Sequence, residues 1–360
     1  MPMTNVAPPT VQEIEELQSP HPVGLLSRAE KDRRIERGIT GLYRWYIDRS
    51  QSTRNWNPDR HFDWRAFRTD HSPEMNYILE GFFAVEQYVP DYVNKLLQLV
   101  RKSYGRAQFQ VRWGTEEQRH MDAWQNTVLF SRYRSVEWIE EYKEALRGNE
   151  WQLPWDDAMH MLFYTLIQER ATQINYLNAA AIAAGKVDVS EHRGDVDPVL
   201  EKVCITIATD EAAHYNFFNE SARLMFYYYP SESVDALVDV IKHFSMPGVD
   251  IIPNFGRFQE KCAHAGVFGP REYAGDVLQV ALSNIHVRAS KAFSYGVKRS
   301  RRVPDPDGNM RDTALFEAID YPALEKAVKR LHERIAEHEQ EIGYNEVNPT
   351  FFVPSGLNPQ

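Results

Sequence analysis

Two segments of this chain, Glu117-Gln-Arg-His120 and Glu211-Ala-Ala-His214, hold a carboxylate and an imidazole three residues apart. On a helix those positions share a face, so both side chains can reach one cation. The spacing alone says little. With 51 acids and 12 histidines among 360 residues, chance supplies it more than once, and Asp157-Ala-Met-His160 reads as a decoy. Position discriminates, because two residues of an antiparallel helix pair lie level when they are equally far from the connecting turn. Glu86 and Glu117 are centred between residues 101 and 102, beside the turn signal Arg101-Lys102-Ser103-Tyr104-Gly105. Glu169 and Glu211 are centred on residue 190, inside the loop-like stretch from Gly185 to Pro198. Each hairpin thus sets a lone Glu opposite an E-x-x-H. Four carboxylates and two imidazoles offer mixed oxygen and nitrogen ligands to two ions that tend to octahedral geometry, with no thiolate to favour zinc or a cluster.

Iron is therefore the expected metal, with manganese second. Glu117 and Glu211 are expected between the two ions, Glu86 and Glu169 at one ion each, with His120 and His214 completing the set. Glu80 and Glu116 are left out, since Glu116 is one step off the helical spacing to His120; both are read as solvated or merely supporting.

The elements that must position these residues are helices. Periodic patterns run over about 74–102, 106–132, 155–184 and 198–228, and Ser72-Pro73 and Pro198 stand where a helix start tolerates proline. A further helix is predicted over 27–49, and others over 233–243, 270–295 and 321–342. Residues 55–70 and 298–311 read as loops, and strand signals are almost absent. The predicted architecture is all-α: a ferritin-like four-helix bundle with a di-iron centre and flanking helices. Residues 1–26 are expected to be a flexible segment, 27–295 the bundle domain, and 296–360 a loop and helix packed on that same domain.

At 43% apolar the chain can bury a large core, yet no apolar run approaches the roughly 20 residues of a membrane-spanning helix. Neither an export signal nor a transit peptide is evident at the N-terminus. The two cysteines, Cys204 and Cys262, form no disulfide framework, which points to a reducing cytoplasm. A formal charge of -10 argues against nucleic-acid binding.

The residues around the ligands resemble the soluble acyl-carrier-protein desaturases typified by the plant stearoyl enzymes. Gln168-Glu169-Arg170-Ala171-Thr172 is similar to their Q-E-R-A-T run, and Thr209-Asp210-Glu211 with His214 to their A-D-E-x-x-H. Glu86-Gln87-Tyr88-Val89-Pro90-Asp91-Tyr92 resembles their E-E-A-L-P-T-Y, and Ser245-Met246-Pro247, Gly266-Val267-Phe268 and Glu272-Tyr273-Ala274 follow in family order. The resemblance covers about residues 40 to 285. It implies a reaction in which O2, activated at two iron ions (Fe2+/Fe3+), removes two vicinal hydrogens from a saturated acyl chain carried on acyl carrier protein, with water as the other product. It also implies a ferredoxin-type electron donor and a homodimer.

Thr172 lies one turn after Glu169 and is a candidate catalytic hydroxyl, the alternative being a bond to its own helix backbone. Asp210 is expected to hold the ring N–H of His120. By the family pattern this link continues to a tryptophan, for which Trp56 in Asn55-Trp56-Asn57-Pro58 is the candidate, on an electron route or in simple packing. Ala212 and Ala213 stand where the plant enzymes carry a basic pair, and the 185–198 loop is longer. Both departures bear on carrier docking, for which Lys298, Arg299, Arg301 and Arg302, then Arg101, Lys102 and Arg106, are the densest basic clusters. Competing readings are a related di-iron hydroxylase or N-oxygenase and an iron-storage protein of ferritin type. A ribonucleotide reductase small subunit is disfavoured, because Trp124 occupies the place of its radical tyrosine.

Overall fold

Capping chemistry fixes where each helix begins. In the computed structural model, which describes residues 27–285 except 188 and 250, then 302–304, 310–312 and single positions between 326 and 341, helix α1 (Arg28–Thr53) opens with a capping box. Ser27 Oγ accepts from the Glu30 N–H and Glu30 Oε2 accepts from the Ser27 N–H. Ser72 caps α2 (Pro73–Glu86), Ser103 caps α4 (Tyr104–Ser131), Asp157 caps α6 (Ala158–Ala183) and Asp197 caps α7 (Pro198–Tyr228). Asp157 is thereby explained without a metal. It caps its helix and pairs with His160 at 2.5 Å, with both side chains partly exposed.

The single helix predicted over 74–102 is in fact two, α2 and α3 (Val89–Val100), broken at Gln87 and Tyr88. Pro90 explains the break: its ring conflicts with the carbonyl four residues back, that of Glu86, and it has no N–H to donate there. The chain therefore loosens beside a candidate ligand. Two helices were not expected, α5 (Val136–Arg147) and α9 (Phe255–His264). The remainder comprises α8 (Pro230–His243), α10 (Pro270–Glu272), a π-helical turn (Tyr273–Leu278) and α11 (Gln279–Asn284). The 298–311 loop reading is corrected in part, since β1 (Arg302–Pro304) pairs antiparallel with β2 (Met310–Asp312). The predicted segment 1–26 and the basic residues Lys298, Arg299 and Arg301 lie outside the described residues, as does most of the helix predicted over 321–342. Of its described positions, His338 Nε2 lies 3.2 Å from the Arg44 carbonyl, and the Arg334 guanidinium sits over the Trp45 ring.

The architecture is an all-α bundle. Helices α2 and α3 pack on α4, α6 packs along α7, α4 meets α7, and α1 lies across α4 and α7. The crossing of α1 and α4 is close enough that a Cβ on Gly105 would sit 2.6 Å from the Thr40 backbone nitrogen. Two apolar clusters fill the bundle. One holds Phe109, Trp113, Phe163 and Phe217; the other holds Phe82, Trp124, Tyr176 and Ile207. The two E-x-x-H motifs, on α4 and α7, fall at the junction between the clusters. No helix among the described residues is long and apolar enough to cross a membrane.

A buried acidic latch ties the 185–198 loop to the start of α2. Asp195 accepts from the Ser72 N–H (2.6 Å) and hydroxyl (2.7 Å), and His192 Nδ1 lies 2.7 Å away. Asp197 accepts from the N–H groups of Val199 (2.8 Å), Leu200 (3.2 Å) and Arg68 (3.0 Å), and His71 Nε2 is 3.2 Å away. Burial raises the pKa of the Asp197 carboxyl, but its bond to His71 and the three N–H groups outweigh that and lower it below 3.8. Asp197→Ala is therefore expected to cost roughly 2–4 kcal/mol, a lost cap plus donors left unmet, with Asp197→Asn retaining part of it. The carboxylate's contribution is present above the ordinary pKa of 3.8 and lost as pH falls through its lower folded value. Urea unfolding checks both; an alanine variant as stable as the parent at neutral pH would contradict the latch.

Candidate metal centre

Each bundle helix delivers its share of the constellation: α2 ends on Glu86, α4 carries Glu117 and His120, α6 carries Glu169, and α7 carries Glu211 and His214. All six are buried, His120, His214 and Glu169 completely. Their ligand atoms form two overlapping groups, each within 4.8 Å: Glu86, Glu117, His120 and Glu211, then Glu117, Glu169, Glu211 and His214. Glu117 and Glu211 belong to both. The structure thus brings together all six residues singled out by spacing, with the E-x-x-H glutamates shared.

The two imidazoles face inward through Nδ1. His214 Nδ1 lies 3.0 Å from Glu117, 3.2 Å from Glu169 and 3.3 Å from Glu211, and His120 Nδ1 lies 3.3 Å from Glu117 and 3.4 Å from Glu211. Their outward nitrogens are held. His120 Nε2 faces Asp210 Oδ2 at 3.3 Å, and His214 Nε2 faces Glu116 Oε2 at 2.9 Å. An Nε2–H held by a carboxylate leaves the Nδ1 lone pair free for a cation, the usual support for a metal-binding histidine.

Of the two readings the sequence leaves for Glu116, solvated or supporting, the structure shows the second. Glu116 is fully buried, it accepts from Tyr46 and Ser50, and Arg54, Arg112 and Arg119 lie within 3.9 Å or less. Its signal was present in the chain: Glu116 precedes Glu117 as Asp210 precedes Glu211, and each of these acids serves the histidine of the other motif. Glu80 is not solvated either; it is buried and paired with Arg134 at 2.6 Å. Two further partners had no signal at all. Tyr176 OH donates to Glu86 Oε1 (2.6 Å), and Trp113 Nε1–H donates to Glu169 Oε1 (3.0 Å).

Trp56, half-buried, donates its Nε1–H to Asp210 Oδ2 (2.8 Å), and its ring stacks on His120 with centroids 6.1 Å apart. Arg119 closes this group, 3.1 Å from Asp210 and over the Trp56 ring at 5.0 Å. Thr172 Oγ–H is directed to the carbonyls of Gln168 (3.2 Å) and Glu169 (3.1 Å). The same residue walls a small cavity with Glu86 and Glu117, and a larger one of about 680 Å3 lined mainly by apolar side chains including Phe82, Phe244, Met246 and Phe258.

The residues fit a metal pair by their own chemistry. Glu117 Oε1 and His120 Nδ1 are buried with no hydrogen-bond partner, an arrangement that is costly unless a cation takes their lone pairs. Without one, burial and the charge of Glu117 push the Glu86 carboxyl up to about 8, and burial with the charge of Glu211 raises Glu169 well above its ordinary value. Burial pulls the imidazoles of His120 and His214 down, but the carboxylates around them prevail and raise both.

A family model described as "Fatty acid desaturase" matches residues 63–303. The DesA1 protein of Mycobacterium tuberculosis, provisionally described as an acyl-[acyl-carrier-protein] desaturase, is 23% identical over 274 residues, covering 69% of this chain and 77% of its own length. The chloroplastic stearoyl-[acyl-carrier-protein] 9-desaturase of Ricinus communis is 29% identical over 248 residues, covering 63% of this chain and 60% of its own. A crystal structure of DesA2 from Mycobacterium tuberculosis superposes with a TM-score of 0.49 at 17% identity, covering 73% of this chain and 98% of that one.

These raised acids set a pH dependence for protein stripped of metal by a chelator. A folded-state pKa raised from 4.5 to about 8 makes the Glu86 contribution to stability complete below pH 4.5 and lost as pH rises through about 8. Glu169, His120 and His214 act in the same direction. The melting temperature of the stripped protein should fall between about pH 5 and about pH 8, and Glu86→Gln should flatten the fall. A melting temperature that rises over that interval would contradict the assignment.

Proposed function

The chain belongs to the fatty acid desaturase family, and from that premise we propose that it introduces a double bond into a saturated acyl chain carried as a thioester on acyl carrier protein. The observation that carries this reading is the buried pair of overlapping ligand groups set against an apolar cavity. Glu86 and His120 would hold one iron ion, Glu169 and His214 a second, and Glu117 and Glu211 would lie between them, giving two iron ions per chain. When bound, such a pair supplies the change of redox state and the activation of O2 that removal of unactivated hydrogens requires.

The protein's own part is binding, orientation and exclusion of water. Phe82, Phe244 and Phe258 offer the chain an apolar wall, and Thr172 and Tyr176 stand where that wall meets the carboxylates. Asp210 and Glu116 fix the tautomers of His120 and His214. The Thr172 hydroxyl, now shared with its helix backbone, is within reach of the cavity and could pass a proton there. Trp56, Asp210 and His120 form a connected set from the half-exposed indole to the cluster, and this is the path on which a ferredoxin-type donor would deliver electrons. Homodimer formation and a reducing cytoplasm, consistent with two buried free cysteines, complete the reading.

Reduced protein given O2 and a saturated acyl-[acyl-carrier-protein] should release a product lighter by two hydrogens, resolved by mass spectrometry. Glu117→Ala and Glu211→Ala should each lose metal and at least about a hundredfold in turnover, whereas Asp157→Ala should keep both. A product heavier by one oxygen, or equal metal content in all three variants, would contradict the proposal.

A further inference from the structure

Beyond the carboxylates lies a second small cavity, of about 30 Å3, and its wall is not wholly apolar. The small cavity walled by Glu86, Glu117 and Thr172 shares Leu96, Met161 and Thr165 with a second one farther along α4 and α6. Phe109, Leu162 and Phe217 line that second space, but so do Arg106, Gln110 and Ser221. Arg106 and Gln110 are one turn apart on α4 and so share a face. Gln110 is 4% exposed and Ser221 1%, and neither Gln110 Nε2 nor Ser221 Oγ has a hydrogen-bond partner.

Arg106 belongs to the basic cluster that the sequence placed on the surface; its side chain is partly buried and lines both this space and the broad groove bordered by Asp32, Glu36 and Arg37. Its Nε is buried and unpartnered, and Nη2 lies 3.7 Å from the soft acceptor Met225 Sδ. Burial lowers the guanidinium to about 10, which still leaves it charged at neutral pH. Glu36 and Asp32 favour that charge from nearby, but Glu36 accepts from the Gly105 N–H (3.1 Å) and Asp32 from Tyr229 OH (2.6 Å). Neither forms an ion pair with Arg106 among the described residues. A guanidinium Nε–H, an amide N–H and a hydroxyl without partners around one small and otherwise apolar space are a poor match for a methyl group. They are a good match for a group that only accepts.

We propose that Arg106, Gln110 and Ser221 form a subsite for a carboxylate at the far end of the substrate, so that the favoured acyl thioester carries a carboxylate where an ordinary fatty chain carries methyl. The proposal rests on the acyl-chain reading above and specifies the substrate class of that same site. Once the chain is threaded, the charged end also fixes which carbons lie beside the carboxylate cluster.

Calorimetric titration of the full chain with methyl decanoate and with monomethyl decanedioate isolates the end group, since both probes are esters at the other end. The carboxylate probe should bind roughly tenfold more tightly. That preference should vanish in Arg106→Met and shrink in the Gln110→Leu, Ser221→Ala double variant, which keeps the cation and guards against a folding defect in the first. Equal affinities, tighter binding of the methyl-ended ester or no binding of either would overturn the subsite; ordered water filling the pocket would give the first of these. Turnover separates this result from the function itself. Desaturation of methyl-ended thioesters without a carboxylate preference removes the subsite alone, and a carboxylate preference in binding without desaturation of any thioester removes the functional reading alone.

Discussion

Four carboxylates and two imidazoles are held out of water within a few ångströms of one another, and most of the bundle's local chemistry answers to that burden. Left alone, such a cluster resists full ionisation: burial and mutual repulsion push the Glu86 carboxyl up to about 8 and raise that of Glu169 well above its ordinary value. The surrounding structure balances charge one layer out. Asp210 and Glu116 hold the two histidines, and Arg54, Arg112 and Arg119 hold those two acids in turn. Tyr176 and Trp113 donate to the two glutamates that lie on one side each. The apolar clusters above and below exclude the water that would otherwise screen these charges.

This layering links the fold to its chemistry. The helices meet at the junction of two apolar clusters, so the polar layer is placed by packing on both sides rather than by its own attraction. The break after Glu86 lets that carboxylate end one helix while Tyr92 and Leu96 build the cavity wall on the next. The acidic latch at Asp195 and Asp197 holds the opposite end of the same helix to the start of α7, so α2 is fixed at both ends.

Much of the site was legible because helical hairpins convert sequence separation into height. The centring of Glu86 with Glu117 and of Glu169 with Glu211 about two turns places them on one level, and the structure has them there. Asp210 follows from its place before Glu211 and the need of a ligand histidine for a partner, whereas Trp56 comes only with the family resemblance; the hydrogen bond between them is present. Glu116 was set aside because its spacing to His120 was wrong, whereas its partner is His214 on another helix; spacing within one helix cannot reveal a contact between two. The break at Pro90 was readable from proline chemistry but was hidden by an apolar periodicity that continues across it. Helices α5 and α9 are short, and α9 with the turns that flank it between Phe244 and Tyr273 supplies much of the wall of the large cavity. That Arg106 lines a cavity as well as the surface groove is equally unreadable, since a loop-flanking arginine is ordinarily solvated.

Everything else in the bundle's polar layer depends on the cluster being a binding place for two cations. Anomalous diffraction at the iron edge, from crystals of the chain purified with iron, tests this directly. Two peaks inside the cluster are predicted, one within ligand distance of Glu86 and His120 and the other of Glu169 and His214, with Glu117 and Glu211 between them. A single peak, none at all, or iron bound only elsewhere would contradict it.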